Sequence, residues 1–232
     1  MNPSVLLTRF SPVYADEGFE DFLLEAGLPF ECLDLRDIEG TSCYCDPGAE
    51  ERILAGLPEC LPRLRWIDSG DYHYMSCLLA LRETAPFHLL LMDHHPDDQP
   101  PAFGGVLSCG SWVRDLRERS PLLRSALTIG PEGCPQGIPE GWLEARQGER
   151  VYVSLDKDIL SREYARTDWS QGTHTLDQVK ELLRQVWESG VEIVAVDVCG
   201  ELAASKGATP EDMRINLTTN IELQKLISSY LN

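Results

Sequence analysis

Positive charge is scarce in this chain: 20 Lys and Arg stand against 38 Asp and Glu, leaving a formal net charge of −18. Phosphate recognition draws most of its affinity from clustered basic side chains, so this balance argues against a nucleic-acid partner and disfavours an anionic membrane surface. Long apolar runs are also missing. None approaches the roughly 20 residues that cross a bilayer, and Met1-Asn2-Pro3-Ser4-Val5-Leu6-Leu7 lacks the basic start and extended apolar stretch of a secretory signal, which predicts a cytoplasmic protein with no membrane partner. The 8 cysteines include no Cys-x-x-Cys pair and no compact framework spacing, so they are read as reduced thiols. The close pair in Cys43-Tyr44-Cys45 is expected to sit in a surface loop, because two ligands one residue apart make a poor soft-metal site.

Hydrophobic residues at 43% and charged residues at 25% are globular values, and 232 residues suffice for one substantial core, so residues 1–232 are read as a single domain. Short apolar runs at 5–8, 30–35, 65–68, 88–93, 126–129, 151–155 and 192–198 lack clean alternation, as strands buried on both faces do. They alternate with amphipathic stretches at 18–26, 49–57, 74–84, 111–119, 176–189 and 211–230. Thr175 with Gln178 resembles a capping box, followed by an apolar face of Leu176, Val179, Leu182, Leu183, Val186 and Trp187. The pattern predicts an α/β fold, a three-layer doubly wound, mainly parallel sheet. The Gly- and Pro-rich stretch 130–141 reads as a long loop, of the kind often found near a site.

In such sheets ligands bind beyond the carboxyl ends of the strands, so polar clusters following apolar runs carry the chemistry. Leu89-Leu90-Leu91-Met92 runs into Asp93-His94-His95-Pro96-Asp97. Val151-Tyr152-Val153-Ser154-Leu155 runs into Asp156-Lys157-Asp158. Alternate residues of an extended segment point the same way, so Asp93, His95 and Asp97 should converge, and Asp156 with Asp158 should repeat the device. Several carboxylates in one cleft either take up protons or hold cations, and a divalent metal is the simplest counter-charge. Oxygen-rich ligation without thiolate suits Mn²⁺, with Fe²⁺, Co²⁺, Ni²⁺ or Zn²⁺ as alternatives.

These two motifs, at strand ends and in this order, resemble the Asp-x-His-x-Asp and Ser-x-Asp-x-Asp of the ureohydrolase superfamily, which includes arginase, agmatinase and formiminoglutamase. Gly70-Asp71-Tyr72-His73 is a looser counterpart of the family's Gly-Gly-Asp-His. The resemblance implies an arginase-like fold and two metal ions, with Asp93 and Asp156 bridging them, Asp97 and His73 completing one shell, and His95 and Asp158 the other. It implies attack of metal-bridging hydroxide on the carbon of a guanidino, amidino or amide small molecule, with Asp158 accepting a proton. The family's substrate-binding glutamate corresponds to Glu201, one residue out of register after Asp197. The His that shuttles protons in arginases has no counterpart between Gly104 and Gly110, where Ser108 and Cys109 stand.

Each remaining candidate has a plainer role. His94 should face away from the metals, Lys157 should point to the opposite face and pair with an acid, and Cys109 should be a buried thiol. His88 is read as structural, His174 as exposed or locally bonded, and Trp169 and Trp187 as packing residues. A metal-dependent amide deacetylase is the alternative enzyme, which a His94-His95 pair facing the metal would favour. A catalytically inactive arginase-fold binding protein is the alternative outside enzymes.

Overall fold

Burial on both sheet faces, inferred from the unalternating apolar runs, holds for the inner strands, whereas the edge strands at 30–34 and 123–129 are mostly half-buried. The structure, a computed structural model, describes residues 4–101 and 103–231. In chain order the elements are β1 (Val5–Arg9), α1 (Val13–Asp16), α2 (Phe19–Glu25), β2 (Phe30–Asp34), β3 (Tyr44–Cys45), α3 (Pro47–Gly56), β4 (Leu64–Ile67), α4 (Met75–Ala80) and β5 (Phe87–Met92). They continue with β6 (Leu107–Ser108), α5 (Trp112–Arg119), β7 (Leu123–Ile129), β8 (Arg150–Asp156), α6 (Leu176–Glu188), β9 (Glu192–Cys199) and α7 (Pro210–Leu231). Seven strands form one sheet in the order β2-β1-β4-β9-β8-β5-β7, and every pairing in it is parallel.

Successive strand residues feed opposite cores, as the period of two requires. Leu90 and Met92 of β5 join Phe19 and Leu23 of α2, the apolar stripe of α6, and Leu223 and Ile227 of α7. Leu89 and Leu91 join Ile53 of α3, all of α4 except its serine, and Trp112, Val113 and Leu116 of α5. Each fully buried Leu or Ile contributes about 1.5–3 kcal/mol of transfer free energy, so the two apolar layers hold the sheet rigid between them. No helix among the described residues is long and apolar enough to cross a membrane.

Helix ends follow local chemistry. The capping box of α6 is complete: Gln178 N–H donates to Thr175 Oγ1 at 3.2 Å, and Thr175 N–H donates to Gln178 Oε1 at 2.8 Å. The α3 helix starts earlier than the periodicity indicates, because Asp46 Oδ1 accepts from Ala49 N–H at 2.8 Å and Pro47 takes the first turn. The α4 helix is shorter than expected. Arg82 and Glu83 bond only three residues back, and Pro86 disfavours helical backbone before it.

Cys43-Tyr44-Cys45 is not a plain surface loop. Tyr44 and Cys45 pair antiparallel with Ser108 and Leu107, making a two-stranded ribbon too short to leave a periodic signal.

Candidate metal centre

Strands β4, β9, β8 and β5 are neighbours in the sheet, so the segments leaving their carboxyl ends meet above one edge. They converge through turns rather than through the extended pleat that alternation suggested. Beyond β5, His95 N–H donates to Asp93 Oδ1 at 2.5 Å, and Asp97 adopts φ of 47°. Left-handed backbone is costly for a residue with a Cβ, and such strain clusters where side chains must be aimed. Beyond β8, Asp158 N–H donates to Asp156 Oδ1 at 2.9 Å, starting a single 3₁₀ turn over Lys157–Ile159. Gly200, at φ of 97°, closes over this turn. A Cβ there would lie 2.3 Å from Asp156 Oδ1, so no other residue fits without moving a ligand.

The sequence-predicted ligands come together in two triads that share Asp93. His73, Asp93 and Asp97 form one and Asp93, His95 and Asp158 the other, with ligand atoms in each within 4.8 Å. His73 Nδ1 lies 3.1 Å from Asp97 Oδ2, 3.2 Å from Asp93 Oδ2 and 3.3 Å from Asp156 Oδ2. Its Nε2 sits 2.9 Å from Ser154 Oγ, a partner that can leave Nδ1 facing the carboxylates. His95 Nδ1 is 2.7 Å from Asp158 Oδ2, and its Nε2 is 2.9 Å from Ser170 Oγ. Trp112 Nε1–H donates to Asp97 Oδ2 at 2.7 Å. Asp93 Oδ2 is buried, with the His73 imidazole beside it. A third triad of His73, Asp156 and Cys199 is a poorer cation site. The Cys199 thiol donates to the Ser69 carbonyl at 3.2 Å, and burial pushes its pKa well up.

Crowded charge shows in the titration of these groups. Burial, then the charges of Asp158 and Asp93, raises Asp156 well above the carboxylate range. Burial and Asp93 push Asp158 up to about 7. Burial alone would lower His73, but hydrogen bonds to Asp93 and Asp97 and the charge of Asp156 raise it. The hydrogen bond to Asp158, then that to Asp93, lifts His95 to about 10. Proton uptake by these groups thus offsets the crowded negative charge.

The centre floors a cavity of about 300 Å³, walled by Cys43, Tyr44, Gln99, Ser108, Cys109 and Trp169. Glu201 does not line it. It is fully buried, ion-paired to Lys157 Nζ at 2.5 Å, and accepts from Asn216 at 3.1 Å and Asn220 at 2.9 Å. Left-handed backbone at Gly200 ends the alternation of β9 before Glu201, whose side chain turns into the core and pairs with Lys157, so the expected substrate contact is replaced by a structural pair. Lys157 points away from the ligands as anticipated. Asp71 stands outside the triads: its carboxylate accepts from Cys43 Sγ at 3.2 Å, Trp169 Nε1 at 3.1 Å and Lys206 Nζ at 2.9 Å, tying two wall residues to Lys206.

Trp169, read as a packing residue, is a cavity wall instead, and only its position near Ser170 and the metal loops could have signalled this. Cys109 is buried, with its pKa raised by burial. The His94 ring does not line the cavity, although its backbone N–H donates to Asp158 Oδ1 at 2.9 Å. His88 is structural, between Ser125 at 2.7 Å and Glu149 at 2.6 Å. His174 is buried and bonds Gln136 O at 2.9 Å, so it is neither exposed nor local. Trp187 stacks on Tyr230 with centroids 4.6 Å apart. The loop 130–141 stays out of the cavity lining.

No family model matches the chain. An uncharacterised protein of Thermotoga maritima is 24% identical over 235 residues, spanning 97% of this chain and 92% of the relative. Proclavaminate amidino hydrolase from Streptomyces clavuligerus superposes with a TM-score of 0.64 at 19% identity, covering 99% of this chain and 94% of that one. Formimidoylglutamase from Bacillus subtilis gives 0.65 at 14% identity, covering 99% and 87%. Arginase from the same species gives 0.64 at 12% identity, covering 100% and 99%. The chain therefore has the arginase-like α/β fold that its motifs suggested.

Proposed function

We propose that this protein is a metal-dependent hydrolase that uses two divalent cations, Mn²⁺ foremost, to cleave a C–N bond of a guanidino, amidino or amide small molecule. The observation that carries the proposal is the pair of triads sharing Asp93, in which four buried carboxylates, those of Asp93, Asp97, Asp156 and Asp158, crowd around two imidazoles. Buried carboxylates this close together cost free energy unless positive charge meets them. His73, Asp93, Asp97 and Asp156 would hold one ion, and Asp93, His95, Asp156 and Asp158 the other. Such a pair, when bound, supplies Lewis acidity and lowers the pKa of water enough for it to act as a nucleophile near neutral pH.

The protein's own groups set the rest. We assign Asp158 as the acceptor of the proton given up by the attacking water, on its burial at the cavity floor and its 2.7 Å contact with His95. Ser154 and Ser170 fix the imidazoles of His73 and His95 from behind, and Trp112 fixes Asp97. A deacetylase would use a histidine pair at the cavity, and His94 is not there.

Elemental analysis of Mn²⁺-loaded protein should approach about two equivalents per chain, followed by release of urea or ammonia from a panel of guanidino, amidino and N-acyl compounds. A tight stoichiometry of one, or no uptake, would refute the binuclear reading.

A further inference from the structure

The cavity wall has a chemistry of its own. Among the described residues, its lining contains no Lys and no Arg, and its only acids are Asp93, Asp97, Asp156 and Asp158 of the metal floor. Lys206 Nζ is committed to Asp71 at 2.9 Å and lies 4.0 Å from Asp168. Behind Trp169, this one ammonium group therefore stands between two carboxylates and is held there, away from any anion in the cavity.

Trp169 itself is held in place although 40% exposed. Its Nε1–H donates to Asp71, and its ring meets His95 edge-on with centroids 5.8 Å apart. It also packs on Gly70 so closely that a Cβ there would stand 2.7 Å from Cδ1. Tyr44, 38% exposed, lines the same cavity. A preorganised indole in a wall that lacks Lys and Arg suits an apolar or positively charged stem, which it can stabilise through its ring electrons. A carboxylate laid against that wall would lose its water and find no ammonium or guanidinium group there to pair with.

Building on the metallohydrolase reading, we propose that Trp169 is the specificity-determining residue and that the compound hydrolysed carries no carboxylate, its non-reacting end being a cationic or apolar stem laid against the indole. The test uses n-butylguanidinium and γ-guanidinobutyrate, which differ only in a terminal methyl against a carboxylate. Calorimetry on the Mn²⁺-loaded protein should show n-butylguanidinium binding at least about tenfold tighter. Trp169→Leu should weaken that binding at least about fivefold with the metal content unchanged, and Trp169→Phe should restore most of it. Near-UV circular dichroism checks that both variants fold. Equal or tighter binding of γ-guanidinobutyrate, binding of neither probe, or an unaffected Trp169→Leu would overturn the inference alone, provided that Mn²⁺ is bound. Protein that takes up no Mn²⁺ would remove the metallohydrolase reading and this inference with it.

Discussion

Lys157→Met tests whether Glu201 belongs to the core or to the substrate. Lys157 Nζ lies 2.5 Å from Glu201 Oε1 and 2.7 Å from Asn220 Oδ1, and both charged side chains are 0% exposed. Removing the ammonium group leaves Glu201 with only the Asn216 and Asn220 amides. Glu17, itself raised by burial and then by Glu201, stands next on Asn220 at 2.7 Å. Breaking a buried pair from one side costs about 3–5 kcal/mol, because the remaining charge stays desolvated. Whole-domain stability is only about 5–15 kcal/mol, so the variant should be visibly weakened.

Glu201→Gln removes the charge but keeps an acceptor, and should cost about 1–3 kcal/mol. The double variant should be more stable than Lys157→Met alone, since no orphan charge remains. Guanidinium unfolding followed by circular dichroism at pH 7.5 and pH 5.5 measures all three. The Lys157→Met deficit should shrink at the lower pH, where an unpaired buried carboxylate takes up a proton. A Lys157→Met variant within about 1 kcal/mol of the parent would sink the reasoning. So would a Glu201→Gln variant of unchanged stability whose KM rises about tenfold, which would return Glu201 to the substrate.

Asp156→Ala should fold yet lose hydrolysis and bind less than about one Mn²⁺ per chain, because a carboxylate near both shells is gone; full activity would void the whole assignment. Gly200→Ala should cost about 2–4 kcal/mol, from left-handed backbone and a clash with Asp156 Oδ1, and weaken Mn²⁺ binding about tenfold or more by isothermal titration. The metal-free protein should lose stability as pH rises. His95, lifted to about 10 from a usual 6.5, stabilises the fold fully below that usual value and loses this as pH passes through 10. Asp158, raised to about 7 from 3.8, favours the folded state in its protonated form and loses that as pH passes through 7. Calorimetric scans of chelator-treated protein from pH 6 to 10 should show a falling Tm that Mn²⁺ abolishes; a flat or rising profile contradicts the charge arrangement.

The sheet was legible because buried parallel strands must be apolar along their whole length, and Leu89 through Met92 or Val151 through Val153 can hardly be anything else. The candidate ligands were legible for a related reason: Asp, His and Asp at the end of such a run have no apolar role to fill. What the residues did not disclose was backbone geometry. Asp93, His95 and Asp97 converge through a turn with Asp97 at φ of 47°, a conformation that no periodicity encodes. The ribbon of Tyr44–Cys45 with Leu107–Ser108 joins residues some 60 positions apart through four residues, too few for any pattern to register. Trp169 was misjudged because an indole in a loop reads as packing until its neighbours are known.

One tight turn sets Asp71, Tyr72 and His73 on three different tasks. Gly70–Tyr72 coil into a 3₁₀ turn, with Tyr72 N–H on Ser69 O at 3.0 Å and His73 N–H on Gly70 O at 3.1 Å. The tighter turn shortens the path, so His73 still reaches Asp93, Asp97 and Asp156. Tyr72 rotates outward and stacks on Phe10, with centroids 3.9 Å apart, which anchors the turn. Asp71 is the acceptor that fastens Cys43, Trp169 and Lys206. The same turn thus holds the histidine against the carboxylates and aims the aspartate at Trp169 and Cys43 of the cavity wall, so one local conformation serves both the cluster and its lining.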